Sequence, residues 1–380
     1  MAAIPPLLKH MNERAVLDTI RTGAPISRAQ ISRRAGISKP TVSLALQVLL
    51  EAGLVREASD DPAGPSYGAT FFEPVPDAAL VLGLDLGARF LRGAICDLGG
   101  DVRARQDVEL TAPDAAAAVD AIVELRDALA GAADRIDGVV VGVPGVVEAG
   151  TQRVGLTSLT GLGDTDFAGD LRRRLGLSVS LENDINLAAL GERWRGVARG
   201  VDDFAFMSVG TGLGAGIVLR GELLRGRRGA AGELDFAHAG LDADADPCAA
   251  AVSQYAARLA AAASDGHALV PPYDVRAIFA AARGGDSLAR AAVAEVARRI
   301  ALHIVPVTAV ADVDLVVLGG GIGANGDLLL EPVRALLDGW VPFPPRVETS
   351  SLGDAAVLTG ALAVGLTAAL ENVFVNRTRR

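Results

Sequence analysis

Four apolar runs, each ending in glycine or proline, constrain this 380-residue chain more than any other feature. They are ALVLGLDLG (79–87), GVVVGVP (138–144), FAFMSVG (204–210) and LVVLGGG (315–321). Alanine-rich segments at helical spacing lie between them, which is the rhythm of α/β architecture. Glycine at a strand end lets the backbone turn sharply and come close to a ligand, and successive N–H groups there can cradle phosphate. One such end is a weak signal, whereas three glycine-rich ends in one chain are a stronger one. Aromatic residues make up only 4% of the chain against 50% hydrophobic, so Ala, Val and Leu must fill the interior.

The length fits two or three domains at roughly 150 residues each. No uncharged apolar run reaches the roughly 18 residues of a membrane helix, and the start, MAAIPPLLKHMNER, lacks the layout of a signal peptide. The expectation is a soluble cytoplasmic protein with no membrane partner. Cys96 and Cys248 stand far apart and offer neither a disulfide framework nor a metal-binding pair. The net charge of -10 is unevenly placed. Residues 1–60 hold eight basic and five acidic side chains, net +3, and the remainder holds 28 basic and 41 acidic, net -13. A basic head on an acidic body suggests that the head meets a polyanion and the body does something else.

In the head, Ala15, Val16, Leu17 and Ile20 have helical spacing before Thr22-Gly23. Ser27 followed by Gln30 is a capping box opening a second helix, which Gly36 ends. Ser38 caps a third, with Pro40 in its first turn and Val42, Ala45, Leu46, Leu49 and Leu50 as its apolar stripe. The strand-like runs LVRE (54–57) and ATFF (69–72) flank Asp60-Asp61-Pro62 and Gly64-Pro65, which read as a hairpin wing. The pattern is a winged helix-turn-helix whose third helix enters the major groove. Ser38, Lys39, Thr41, Ser43 and Gln47 would then meet phosphates and base edges, and Arg28, Arg33 and Arg34 the DNA backbone. A three-helix interaction module with merely solvated polar residues is the bland alternative; the local charge, the spacing and the wing favour DNA.

The body resembles the ROK (repressor, ORF, kinase) family of sugar kinases and repressor relatives. The resemblance rests on LGLDLGARFLRGAICDLGG (82–100), VGVPGVVEAG (141–150), LENDINLAALGE (181–192), VGTGLGAGIVLRGELLRGRRGAAGELDFAH (209–238), VVLGGGIGAN (316–325) and SSLGDAAVLTGALAVGL (350–366), in that order. It implies an α/β chain with a winged helix-turn-helix over 1–76 and, over 77–380, a two-lobed actin-like (ribonuclease H-like) sugar-kinase fold that binds an effector and oligomerises. Family members with the winged head are repressors of sugar metabolism, and those without it are kinases.

Carried over position by position, the resemblance makes Asp184 the counterpart of the catalytic base and Asn183 and Glu233 counterparts of sugar ligands. Asp85 and Gly87 fall in the first phosphate loop, Gly210, Thr211 and Gly212 in the second, and Gly319, Gly320 and Gly321 in the adenosine loop. Here the departures begin. The zinc-ligating His of the family is Phe236, the Gly before it is Asp235, and of the cysteine cluster only Cys248 remains, so tetrahedral zinc is not expected. The first phosphate loop carries Ala88, whose Cβ stands where the family has Gly, and Arg89 where it has a hydroxyl residue. These losses imply a chain without catalysis or cofactor, its remaining glycine loops serving as turns rather than holding ATP, and Asp184 persisting as a sugar-hydroxyl acceptor.

The expected function is a DNA-binding regulator, a repressor, whose partners are operator DNA, a sugar or sugar phosphate effector and copies of itself as homodimer or homotetramer. An active sugar kinase with a DNA-binding arm is the alternative, and a protein-sensing regulator the third. His10, His238, His267 and His303 are dispersed and read as local hydrogen-bonding groups. The run Arg225, Arg227 and Arg228 reads as a solvated loop or subunit contact, with a phosphorylated effector as the sharper option.

Overall fold

A computed structural model of the chain describes residues 6–58, 69–129, 131, 135–236, 245–263 and 267–378, and the side chains of all of these except 6, 7 and 372–378. The head comprises α1 (Pro6–Gly23), β1 (Ile26–Ser27), α2 (Arg28–Ala35), α3 (Lys39–Glu51), β2 (Val55–Glu57) and β3 (Phe71–Pro74). Its three strands form one antiparallel sheet in the order β1-β3-β2, with Ile26 opposite Phe72 and Val55 opposite Pro74. The wing strands stand within two residues of where the sequence puts them. The turn residues Asp60 to Pro65 lie outside the described residues.

Two lobes follow. The first holds β4 (Leu80–Leu86), β5 (Phe90–Asp97), β6 (Val102–Glu109), α4 (Ala115–Leu129), β7 (Gly138–Val143), the small hairpin β8 (Val146–Val147) and β9 (Val154–Gly155), α5 (Phe167–Leu175), β10 (Val179–Asn183) and α6 (Asp184–Arg195). The second holds β11 (Phe204–Val209), β12 (Leu213–Leu219), β13 (Glu222–Leu223), α7 (Ala249–Ala262), α8 (Val275–Arg283), α9 (Ser287–Ala311), β14 (Leu315–Gly319), α10 (Gly320–Gly323), α11 (Gly326–Trp340), β15 (Arg346–Thr349) and α12 (Ala356–Thr378).

The two main sheets repeat one topology. Their orders are β6-β5-β4-β7-β10 and β13-β12-β11-β14-β15, each an antiparallel meander continued by two parallel strands. The parallel strands are reached through helices, as right-handed crossovers demand. All four apolar runs of the sequence are central strands: β4, β7, β11 and β14. Being covered on both faces, they are buried throughout or nearly so, which is why they lack alternation.

Each lobe ends in a helix, α6 or α12, and these two pack against each other. Gly191 and Gly360 sit at their closest approach, where any side chain would collide with backbone of the facing helix. The apolar stretch Gly353–Glu371 has a mean hydropathy of 1.6 and is long enough to cross a membrane. The sequence expectation of no such stretch counted uninterrupted uncharged runs and passed over it. Half of it is buried inside the molecule, along α6, β4 and β7, so the fold itself accounts for its composition.

Head and first lobe share one apolar core. Leu17 and Ile20 of α1 and Phe72 of β3 belong to the same cluster as Val81, Cys96 and Leu98 of the first sheet and Leu362, Leu366 and Leu370 of α12. Arg21 adds a hydrogen bond from Nε to the Leu98 carbonyl at 2.7 Å.

Candidate DNA-reading helix and effector cleft

The helix-turn-helix is built by local hydrogen bonds. Ser27 N donates to Gln30 Oε1 at 2.9 Å while Gln30 N donates to Ser27 Oγ, which completes the capping box. Gly36 closes α2 in the left-handed conformation at φ 67°. Ser38 caps α3 through Thr41 N and shares a 2.8 Å hydrogen bond with the Thr41 hydroxyl. Burial of Val42, Ala45, Leu46 and Leu49 fixes the roll of α3.

That roll decides which candidates face outward. Lys39 and Gln47 are exposed, and Thr41 and Ser43 are half-buried at the flanks. Ser43 Oγ donates to the Lys39 carbonyl at 3.0 Å, and Gln47 Nε2 donates to Glu51 Oε1 at 3.0 Å, so both already have intrahelical partners. Arg28 and Arg33 are exposed on α2. The Arg34 guanidinium instead lies over Gly23 at the end of α1, so it bridges two helices of the head. Sequence reasoning passed over Leu44, which is 58% exposed on the outward side of α3. Its place opposite the apolar stripe was the available signal.

Between the lobes, carboxylates gather. Asp85 stands next to the end of β4, almost fully buried, and accepts a 3.0 Å hydrogen bond from Arg92 Nη1. Burial nevertheless pushes its pKa up to about 6, against the pull of Arg92. Asp184 opens α6 and is half-buried, its Oδ1 accepting from Ile185 N at 2.9 Å. Burial first, and the nearby Asp85 charge second, push its pKa up to about 7. Glu233, from the second lobe, also acts on Asp184 and is itself raised by burial and by Asp235. Asp184 and Glu233 thus lie close enough for their charges to interact. Asn183 is the N-cap of α6: Oδ1 accepts from Asn186 N at 2.9 Å and Nδ2 donates to the Gly145 carbonyl at 3.0 Å. That bond uses one of the two Nδ2 protons.

Arg225 departs from the sequence reading of its basic run. Its Nε donates to Glu182 Oε2 at 2.7 Å, and Glu182 also accepts from Asn183 N and Asn186 Nδ2. Its Nε is thus held by a buried carboxylate, while its side chain as a whole is 41% exposed. Arg227 and Arg228 remain exposed.

Some backbone groups of the glycine loops are spent on turns of the chain itself. Gly87 N donates to the Phe90 carbonyl at 2.9 Å, and Arg89 reaches Glu109 at 2.8 Å. Gly210, Thr211 and Gly212 form the turn between β11 and β12, with Gly210 N donating to the Gly212 carbonyl at 3.0 Å. Leu213 N donates to Asp235 Oδ1 at 3.0 Å. Gly319 ends β14, and Gly320 and Gly321 open α10; Gly320, at φ 77°, lies so close to the Val209 backbone that no side chain would fit.

The zinc position also fails the fit. Phe236 is 58% exposed, and Cys248 is buried, its backbone N donating to Asp246 Oδ1 at 2.7 Å and its Sγ 4.0 Å from Asp235 Oδ1. Burial and neighbouring carboxylates hold its thiol far above the ordinary range, against the thiolate that zinc requires. The fully buried Arg299 ties this segment down instead, reaching the Asp246 carbonyl at 2.8 Å and Glu295 at 2.9 Å. His238 lies outside the described residues.

The family model described as ROK family matches residues 81–368, and one described as a helix-turn-helix domain matches residues 8–58. The chain is 25% identical over 382 residues to the xylose repressor of Caldicellulosiruptor bescii, covering 94% of this chain and 96% of that protein. A solved ROK family transcriptional regulator, described as a homologue of the E. coli MLC protein, superposes with a TM-score of 0.79 over 98% of this chain and 99% of its own. At 22% identity that likeness speaks to the fold alone. A ROK family glucokinase from Streptomyces griseus, solved with glucose and AMPPNP, gives a TM-score of 0.64 at 28% identity and covers 75% of this chain and 99% of its own.

Proposed function

The chain belongs to the ROK family, and from that premise we propose that it is a sugar-sensing, DNA-binding transcriptional repressor whose kinase-like body no longer transfers phosphate. The observation that carries this reading is the apolar core common to the helix-turn-helix, the first sheet and α12. A head so joined moves with the body. Full-length similarity to a xylose repressor supports the same reading.

The effector, a sugar or sugar phosphate, enters the cleft at Asp184, Glu233 and Asn183. These groups accept and donate hydrogen bonds as sugar hydroxyls require. Closure of the lobes on it would alter the packing of α6 against α12, and α12 carries that change to α1. A ligand shifts only a state that it binds better, so the effector must prefer one placement of the heads. Two copies, each reading a half-site, would raise affinity and match the symmetry of an inverted repeat. ATP and zinc have no part in this reading, because Asp235 lies on the second glycine loop and Cys248 is neutral and buried.

The test is selection of bound sequences from a random DNA pool by the purified protein, followed by titration of the enriched operator with sugars and sugar phosphates. An enriched inverted repeat, bound more weakly at higher salt and released by a sugar, is the expected result. A folded protein that enriches nothing sinks the reading.

One observation favours a residual kinase. A carboxylate with a pKa near 7, such as Asp184, suits a general base. ADP release on adding ATP with any of a panel of sugars, abolished in Asp184→Asn, would establish that activity.

A further inference from the structure

The outward stripe of α3 consists of Pro40, Leu44, Gln47 and Glu51, all exposed and spaced at i, i+4, i+7 and i+11. Leu44 is its one large apolar member, 58% open on a helix that buries Leu46 and Leu49. The stripe has a polarity. Its C-terminal end carries the Glu51 carboxylate, hydrogen-bonded to Gln47 at 3.0 Å, which DNA phosphates repel. Its N-terminal end carries Lys39 and the positive pole of the helix, which phosphates attract. The N-terminal half therefore enters the groove, with Leu44 in its second turn. The largest apolar group on the floor of the major groove is the C5-methyl of thymine, and the donors and acceptors of the other bases would be left unpaired against a leucine.

We propose that Leu44 is a specificity-determining residue that packs on a thymine methyl in each operator half-site. This rests on the DNA-binding reading above. Thr41 and Ser43, half-buried at the flanks of the stripe, are left to phosphates and neighbouring edges.

The test uses the full chain and the operator enriched from the random pool. Each thymine of one half-site is replaced in turn by deoxyuridine, which removes the methyl and leaves pairing intact, and affinity is read by fluorescence anisotropy for wild type and Leu44→Ala. The expected result is one position where uracil weakens wild-type binding about fourfold, with Leu44→Ala binding thymine and uracil operators alike. If no position responds in the wild type, or if the penalty persists in Leu44→Ala, the inference is overturned while DNA binding stands. A pool without any enriched sequence removes both. Because Leu44 is exposed, an unchanged thermal unfolding curve for the variant shows that only the contact was lost.

Discussion

The Asp235 carboxylate accepts a hydrogen bond from Leu213 N at 3.0 Å, so the glycine turn at Gly210–Gly212 already has an anion supplied by the chain. Oδ2 of the same residue lies 3.3 Å from where a Cβ on Gly212 would stand. A backbone N–H bound to a carboxylate is not available to a phosphate oxygen, and the charge repels the rest of a triphosphate.

Asp235→Gly should therefore bind a fluorescent ATP analogue at least about tenfold more tightly than wild type, a change of roughly 1.4 kcal/mol. Asp235→Asn, which keeps an acceptor but no charge, should fall between. Equal affinities in all three proteins would show that something other than Asp235 closes the loop.

The raised pKa of Asp184 gives stability a pH dependence of definite sign. Between its ordinary value of 3.8 and about 7, the folded protein holds a proton that the unfolded chain has released. That contribution is complete below about pH 4 and lost as pH rises through 7. Asp184→Asn keeps an oxygen for Ile185 N and cannot ionise. It should match wild type in urea unfolding near pH 4 and exceed it by about 1–3 kcal/mol at pH 8. A variant no more stable than wild type at pH 8 would refute this.

Arg225→Ala leaves Glu182 without its cation, and Glu182 is only 8% exposed. The expected cost is about 1–3 kcal/mol in chemical denaturation. Glu182→Gln introduced together with Arg225→Ala should recover part of it, because the uncompensated charge is then gone. A double variant as unstable as the single one would argue that Arg225 acts by packing.

Leu366, 1% exposed, sits in the core that joins head to body. Truncation to Ala should cost about 2–5 kcal/mol. The shared core also predicts a single calorimetric transition, displaced as a whole in the variant. A separate low-temperature transition for the head, already present in wild type, would show that the two parts unfold independently.

What was legible in the sequence was what closes within a few residues. The capping box of Ser27 and Gln30, the Gly36 stop and the Ser38 cap each join residues three or four apart, so spacing alone reveals them. The four apolar runs were legible as strands because a strand buried on both faces has no room for polar side chains. The strand β1 was not legible: two residues long, it exists only because Ile26 and Ser27 pair with Phe72 and Phe71, some 45 positions on. Leu44 was passed over because the reading looked for polar side chains at base edges, and exposure depends on the roll of α3, which its burial against α1 and α2 sets.

The sequence by itself determined the order of elements, the basic head on an acidic body and the positions of Asp85, Asp184 and Glu233 at the ends of their segments. Only the tertiary structure decided how the polar groups are spent: Arg225 on Glu182 across 43 positions, Asp235 on Leu213 across 22, and the exposed Arg34 laid over Gly23. The reason is physical. A helix or strand is selected by local sterics and periodicity, whereas a side-chain ion pair or hydrogen bond between distant segments forms only where packing of the core has already brought their backbones together.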